Sequence, residues 1–227
     1  MDRIKVLSVL RNFLSARYPE YFYFRSYSQW GEDAVISQFL HTRLGSYIDI
    51  GSGHPIKGNN TFFLYQRGWQ GLLVDPIESN FKLSKKYRRK DIVLKNLVSK
   101  KKGKIPFWEF SNYGLSTTKK SRAEKLIKSG HKLLNTYNLE SITLESIIDR
   151  FYNDKDNLPK LLSIDVEEAE LSVLESNNWE TFRPKVICIE VLNENILDSS
   201  PVHKFLYDRN YILRASVGNS QIFVLID

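Results

Sequence analysis

The chain has 227 residues, a formal net charge of +7 and one cysteine. That length suits one α/β domain with a full core and some surface additions. A single cysteine excludes an intrachain disulfide and points to a reducing, cytoplasmic compartment. No apolar run reaches the roughly 18 residues of a membrane span, and Arg3, Lys5 and Arg11 break the first stretch too often for a secretory signal.

Ile4, Leu7, Leu10 and Leu14 recur at helical spacing and predict an amphipathic helix over 3–16. Tyr18 to Tyr27 is rich in aromatics, holds Pro19 and reads as an irregular cover. Residues 1–27 are therefore expected to be an addition to a domain spanning 28–227. Val35, Ile36, Phe39 and Leu40 predict a helix over 31–43. A first strand at 46–50 is followed by a helix from about 60 to 67, capped by Asn59 or Asn60 and stopped at Gly68. A second strand at 70–75, a helix at 78–89 and a third strand at 91–97 continue the alternation. Lys104 to Phe110 reads as an extra strand. The polar stretch 111–138 holds Tyr113-Gly114 and a helix at 121–129, and long loops of this kind often serve as lids or binding loops. Thr143 caps a helix over 142–151, and a fourth strand follows at 160–165. Then come a helix at 168–176, a fifth strand at 185–191 and a helix at 201–208. Two last strands, 210–215 and 221–226, flank a Gly218-Asn219 turn. The pattern predicts an α/β fold: a mostly parallel sheet, helices on both faces and a C-terminal antiparallel hairpin.

The run Tyr47-Ile48-Asp49-Ile50 leads straight into Gly51-Ser52-Gly53, and Gly71-Leu72-Leu73-Val74 leads into Asp75. Strand, glycine turn, helix, strand, acid is how an α/β sheet holds an adenosine-bearing cofactor. The glycines let a ligand approach the backbone, and the second acid accepts hydrogen bonds from a ribose diol. A dinucleotide fingerprint needs a third glycine where Ile56 stands, and Pro55 removes an amide that would face a pyrophosphate. No Gly-Lys-Ser/Thr follows, so a P-loop is excluded. S-adenosyl-L-methionine remains: it has no phosphate, and its cationic groups suit a carboxylate such as Asp49. The competing reading is a tight turn without a ligand, against which Asp75 stands at the matching place.

Ligands in open α/β sheets sit beyond the carboxyl ends of the strands. Those ends carry Asp49, Asp75, Asp165 and Glu190. Asp165 and Glu190, on strands expected to be neighbours, would flank the acceptor. One of them could deprotonate a hydroxyl, or the pair with His54 could hold a divalent cation that acidifies it. Helix capping by Asp165 is the plainer alternative. His54 follows the glycine turn and suits a general base. His41, His131 and His203 read as ordinary residues, and Cys188, inside Val186 to Ile189, as a buried thiol. No Cys/His cluster suggests a structural zinc. Much of the positive charge lies in 82–104. That band would attract nucleic acid, anionic lipid or a phosphorylated substrate, or it is a solvated face without the interleaved aromatics that base stacking needs.

Several spaced motifs resemble FkbM-type methyltransferases. They are Ser28-Gln29-Trp30-Gly31-Glu32-Asp33, Tyr47 to Pro55, Asn60-Thr61, Gly68-Trp69-Gln70-Gly71 and Val74-Asp75-Pro76, then Leu162 to Leu171 and Pro184 to Glu190. The resemblance spans roughly 26–226. It implies a seven-stranded class I methyltransferase (Rossmann-like) fold and S-adenosyl-L-methionine as donor. It also implies O-methylation of a hydroxyl on a sugar, glycan or other small metabolite. It places Gln29, Glu32, Asp49, Gly51, Ser52, Gly53, Asn60 and Asp75 in the cofactor set, with Asn96 and Leu97 where the adenine is walled. Asp165, His54 and Glu190 fall on the acceptor side. Glu168 stands where the family has glycine, and a helix N-terminus there would tolerate it. The aromatics Tyr21 to Tyr27 would form part of an acceptor wall or a packed cover. Methylation of a nucleic acid through the 82–104 band, or a binding protein with the same fold and no activity, stay open as alternatives.

Overall fold

The computed structural model describes residues 25–154, 157–191 and 200–226. The helix expected over 3–16, and the cover segment as far as residue 24, lie outside the described residues. In chain order the elements are α1 (Glu32–Phe39), β1 (Ser46–Ile50), α2 (Phe62–Gln66), β2 (Gln70–Val74), α3 (Glu78–Tyr87), β3 (Ile92–Leu94), β4 (Leu97–Val98) and β5 (Gly103–Phe110). A 3₁₀ turn at Tyr113–Leu115 leads to α4 (Lys120–Lys128), β6 (Leu133–Ile142), α5 (Leu144–Phe151), β7 (Leu161–Ile164) and α6 (Glu170–Leu174). The chain then forms β8 (Val186–Glu190), α7 (Pro201–Tyr207), β9 (Tyr211–Val217) and β10 (Ser220–Leu225).

Seven strands make the main sheet in the order β3-β2-β1-β7-β8-β10-β9. The first five run parallel, and β10 is antiparallel to both its neighbours. This is the mostly parallel sheet with a closing hairpin that the alternation predicts. Side chains alternate across a strand, and both faces here are covered. Ile48, Ile50, Leu72, Ile164 and Ile189 pack with residues of α5, α6 and α7. Tyr47, Leu73, Leu161 and Cys188 pack with Ile36 of α1 and Leu64 of α2. Burial on both faces is why the central strands read as unbroken apolar runs. The chain grows outward from β1 to β3 and then returns to β7. The crevice at that reversal is where such sheets bind ligands.

A second, three-stranded sheet has the order β4-β6-β5. The strand expected over 91–97 stops at Leu94. Leu97–Val98 leaves the main sheet and pairs with Ser141–Ile142 instead. Leu97, Ile105 and Phe107 pack on Ile77 at the start of α3, with Leu139 against them. That anchors the small sheet beside the crevice. The Thr143 cap forms as the sequence predicts, its hydroxyl accepting from Ser146 N at 3.1 Å. The helix after β1 starts later than expected, with Thr61 as its cap residue, because Asn59 and Thr61 are used by a buried network around Asp49 and Arg88.

Candidate active site

Register sets the site. Ile50 pairs with Val74 on one side and Ile164 on the other, and Ile164 pairs with Ile189. The next residue on each strand is Gly51, Asp75, Asp165 or Glu190, so these four stand level along one sheet edge. They open into a cavity of about 790 Å³. The glycine turn, the Asn96-Leu97 segment, the 3₁₀ turn and the chain after β7 complete its wall.

The turn itself is dictated by packing. Gly51 has φ +75°, and a Cβ there would lie 1.7 Å from the carbonyl oxygen of Asp165. No side chain fits, because the neighbouring backbone already occupies the space. Gly53 has φ +56°, and the Tyr113 ring lies 3.3 Å from its notional Cβ. The Asp75 carboxylate accepts from Gly53 N and Ile77 N, both at 2.8 Å, and from Asn80 Nδ2 at 3.2 Å. Burial pushes its pKa up to about 7, against the pull of those donors. Three bonds leave part of the carboxylate's acceptor capacity free. The buried Ser52 hydroxyl has no hydrogen-bond partner among the described residues.

Gln29, Ser52, His54, Asn96 and Leu97 join the wall. Asp49, Asn60 and Glu32 do not. Asp49 lies one row behind the strand ends, opposite Leu73 and Ser163. Its carboxylate accepts from Thr61 Oγ1 at 2.8 Å and Asn59 Nδ2 at 3.1 Å. The expected role beside the sulfonium is thus replaced by bracing of the turn, since Asn59 also holds the Ser52 carbonyl at 3.0 Å. Asn60 Nδ2 reaches Ser163 Oγ and Cys188 Sγ on the same face. The Glu32 carboxylate accepts from Trp30 N at 2.8 Å. His54 is on the wall, but its Nδ1 accepts from the amides of Ile56 and Lys57, each at 3.1 Å. Its neutral form therefore carries the proton on Nε2 and donates. Burial, then the nearby Lys57, lowers its pKa. A general-base role for His54 does not survive this geometry.

The acids at the ends of β7 and β8 stand close together. Ligand atoms of Asp165, Glu167 and Glu190 lie within 4.8 Å of one another. Glu167 takes the place expected of His54 in that group. Burial, then the neighbouring Asp165 charge, pushes the Glu190 pKa up to about 10, and Glu190 Oε2 is buried without a hydrogen-bond partner among the described residues. Asp165, itself raised by burial, is open to the cavity. Glu167 is raised to about 8, by burial first and by Asp165 next. Arg122 of α4 pairs with Glu167 and, at 3.0 Å, with Glu168. Glu167 and Glu168 have φ of +57° and +74°. So Glu168 stands in left-handed backbone before α6, not in the helix. That accounts for a glycine in the related motif and corrects the expectation that a helix start absorbs the change.

Asn80, Tyr113 and Arg122 also line the cavity, and sequence reasoning did not assign them. Asn80 was findable as the polar residue one turn into the helix after Asp75. Arg122 carried no signal, since its partners lie far along the chain.

Residues 49–213 match the family model described as the methyltransferase FkbM domain. No curated protein matches the chain. Solved structures with some similarity include a TehB-like SAM-dependent methyltransferase from Corynebacterium glutamicum, at 11% identity over 98% of this chain and 97% of that one, with a TM-score of 0.42. The precorrin-6y C5,15-methyltransferase from Geobacter metallireducens is 10% identical over 85% of each chain, with a TM-score of 0.45. The C-terminal domain of the Rhodobacter capsulatus enzyme of that name is 13% identical over 85% of each chain, with a TM-score of 0.40.

Proposed function

Because the chain belongs to the FkbM methyltransferase family and is thus an S-adenosylmethionine-dependent methyltransferase, we propose that it methylates a hydroxyl of a sugar, glycan or other small metabolite. The sheet order is that of class I methyltransferases. The residues present suit the cofactor: a glycine turn, the Asp75 carboxylate with acceptor capacity to spare, and a buried Ser52 hydroxyl lacking a hydrogen-bond partner among the described residues. When bound, S-adenosylmethionine supplies an activated methyl group.

The observation that carries the O-methyl reading is the Asp165–Glu190 pair, level with the glycine turn and open to the cavity. The raised pKa of Glu190 favours its protonated form, which leaves Asp165 as the base of the pair. Asp165 would then take the proton of an acceptor hydroxyl whose oxygen receives the methyl group that the cofactor would supply. Positioning of acceptor and donor side by side supplies much of the acceleration. Asp75, Gly51, Gly53, Asn80, Asn96 and Leu97 bind the cofactor in this reading, and Gln29 and His54 donate at the mouth.

The test is an acceptor screen with labelled S-adenosylmethionine, run with and without a chelator. Label moving to hydroxyl compounds despite the chelator supports Asp165 acting as a base. Loss on chelation assigns the Asp165, Glu167 and Glu190 group to a divalent cation instead. Asp165→Ala should lower kcat by about 100- to 10,000-fold, the usual worth of a general base, with S-adenosylhomocysteine affinity kept. Unchanged turnover removes Asp165 from the mechanism.

A further inference from the structure

Some lysines have carboxylate partners among the described residues: Lys82 and Lys95 pair with Glu78, Lys100 with Glu175 and Lys120 with Glu124. Many exposed lysines, Lys85, Lys86 and Lys90 among them, have none there, and neither do the three on the cavity wall, Lys57, Lys101 and Lys119. Lys101 lies in the turn between β4 and β5, and Lys119 just before α4. Both side chains are exposed. Both backbones are pinned: Lys101 N donates to Ser99 Oγ at 3.2 Å and Lys119 N to Thr117 Oγ1 at 3.0 Å. The acids of the same cavity have other neighbours: Glu167 pairs with Arg122, Asp75 accepts from Gly53, Ile77 and Asn80, and Asp165 and Glu190 stand side by side.

A neutral acceptor in this cavity would return no counter-charge to the two lysines. A phosphate offers enough charge and enough acceptor oxygens for two lysines, and lysine is a common phosphate ligand. A cavity of about 790 Å³ lies high in the range of about 300–1,000 Å³ typical of ligand sites, so it has room for a second molecule beside a cofactor. We propose that the acceptor bears a phosphate, as in a sugar phosphate or a nucleoside diphosphate sugar, seated against Lys101 and Lys119 while its hydroxyl faces Asp165. This rests on the methyltransferase reading above. Lys57 is not part of the assignment, since it follows the glycine turn.

The test is calorimetry on the full chain saturated with S-adenosylhomocysteine. The probes are inorganic pyrophosphate, a panel of sugar 1-phosphates and nucleoside diphosphate sugars, the matching neutral methyl glycosides, and a short single-stranded RNA. At least one phosphorylated sugar should bind about tenfold or more tightly than its methyl glycoside. The two phosphorylated sets separate monoester from pyrophosphate recognition. The Lys101→Glu/Lys119→Glu variant should lose that advantage while binding S-adenosylhomocysteine as the wild type does, which also shows that it folds. The proposal is overturned if no phosphorylated probe binds better than its neutral counterpart, if the variant keeps the preference, or if RNA binds in preference to every sugar. Failure of the wild type to bind S-adenosylhomocysteine would instead remove the cofactor premise, and this proposal with it.

Discussion

Gly51 and Glu168 sit on opposite sides of one backbone rule. Both have positive φ, a region that costs an L-residue roughly 1–2 kcal/mol. At Gly51 the cost would be joined by a collision, because the Asp165 carbonyl occupies the Cβ position. Gly51→Ala should therefore destabilise by at least about 3 kcal/mol, in the range reserved for strain with overlap, and a urea melt measures it. The glycine was legible in the sequence, but its reason was not: the need comes from β7, over a hundred residues on, as much as from any ligand. Glu168 accepts the strain, and its half-exposed side chain gains an ion pair with Arg122, a contact worth little in water. Glu168→Gly should stabilise by about 1 kcal/mol, a rise in Tm of about 2–4 °C for a chain of this size. A lower Tm would mean that the Arg122 contact outweighs the backbone strain.

Among the elements, β1, the glycine turn, α2 and the end of α3 are tied by one side chain. Arg88, fully buried, donates Nε to Asp91 at 2.8 Å. Its remaining groups go to Pro55 O, Asn59 Oδ1, Tyr47 OH and Thr61 Oγ1 at 2.8–3.0 Å. Two of these partners, Pro55 and Asn59, belong to the loop that carries the candidate cofactor turn. Arg88→Ala leaves Asp91 buried without its cation, and breaking such a pair costs about 3–5 kcal/mol. Affinity for S-adenosylhomocysteine, measured on whatever fraction stays folded, should fall by more than about tenfold as the turn loosens. Retained affinity would mean that the turn is held by Asp49, Asn59 and Asp75 alone. In the sequence Arg88 is indistinguishable from its lysine-rich neighbours and reads as one more surface cation; nothing local reports that Tyr47 and Thr61 will surround it. The main sheet was legible because its apolar runs alternate with amphipathic helices. β6 was not, because most of its residues are exposed and it shows no inward-outward alternation to detect. Asp75 and Asp165 were legible as the first residue past an apolar strand, a rule only as good as the strand end it starts from. Asp49 lies one residue inside that end and so faces α2 instead of the cavity.

For the molecule as a whole, a net charge of +7 conceals an acidic centre. Burial raises Glu190 and Glu167, the second to about 8, and lifts Glu170 to about 7. In the unfolded chain these groups titrate near 4. The folded protein thus binds more protons than the unfolded one between about pH 4 and 8. Stability from these groups is fully present below about pH 4 and is lost as pH rises through the folded values. Each group protonated in the fold and ionised in the unfolded chain contributes a slope of about −1.4 kcal/mol per pH unit. Thermal melts should show Tm falling steadily from pH 5 to 8.5, the reverse of a protein held by ionised surface pairs. Glu190→Gln fixes the neutral form, so it should match the wild type near pH 5, melt above it at pH 8.5 and flatten the curve. A wild-type Tm that holds level over this interval would mean that Glu167, Glu170 and Glu190 all ionise freely in the fold, and the proton that makes Glu190 an acid beside Asp165 would be lost with it.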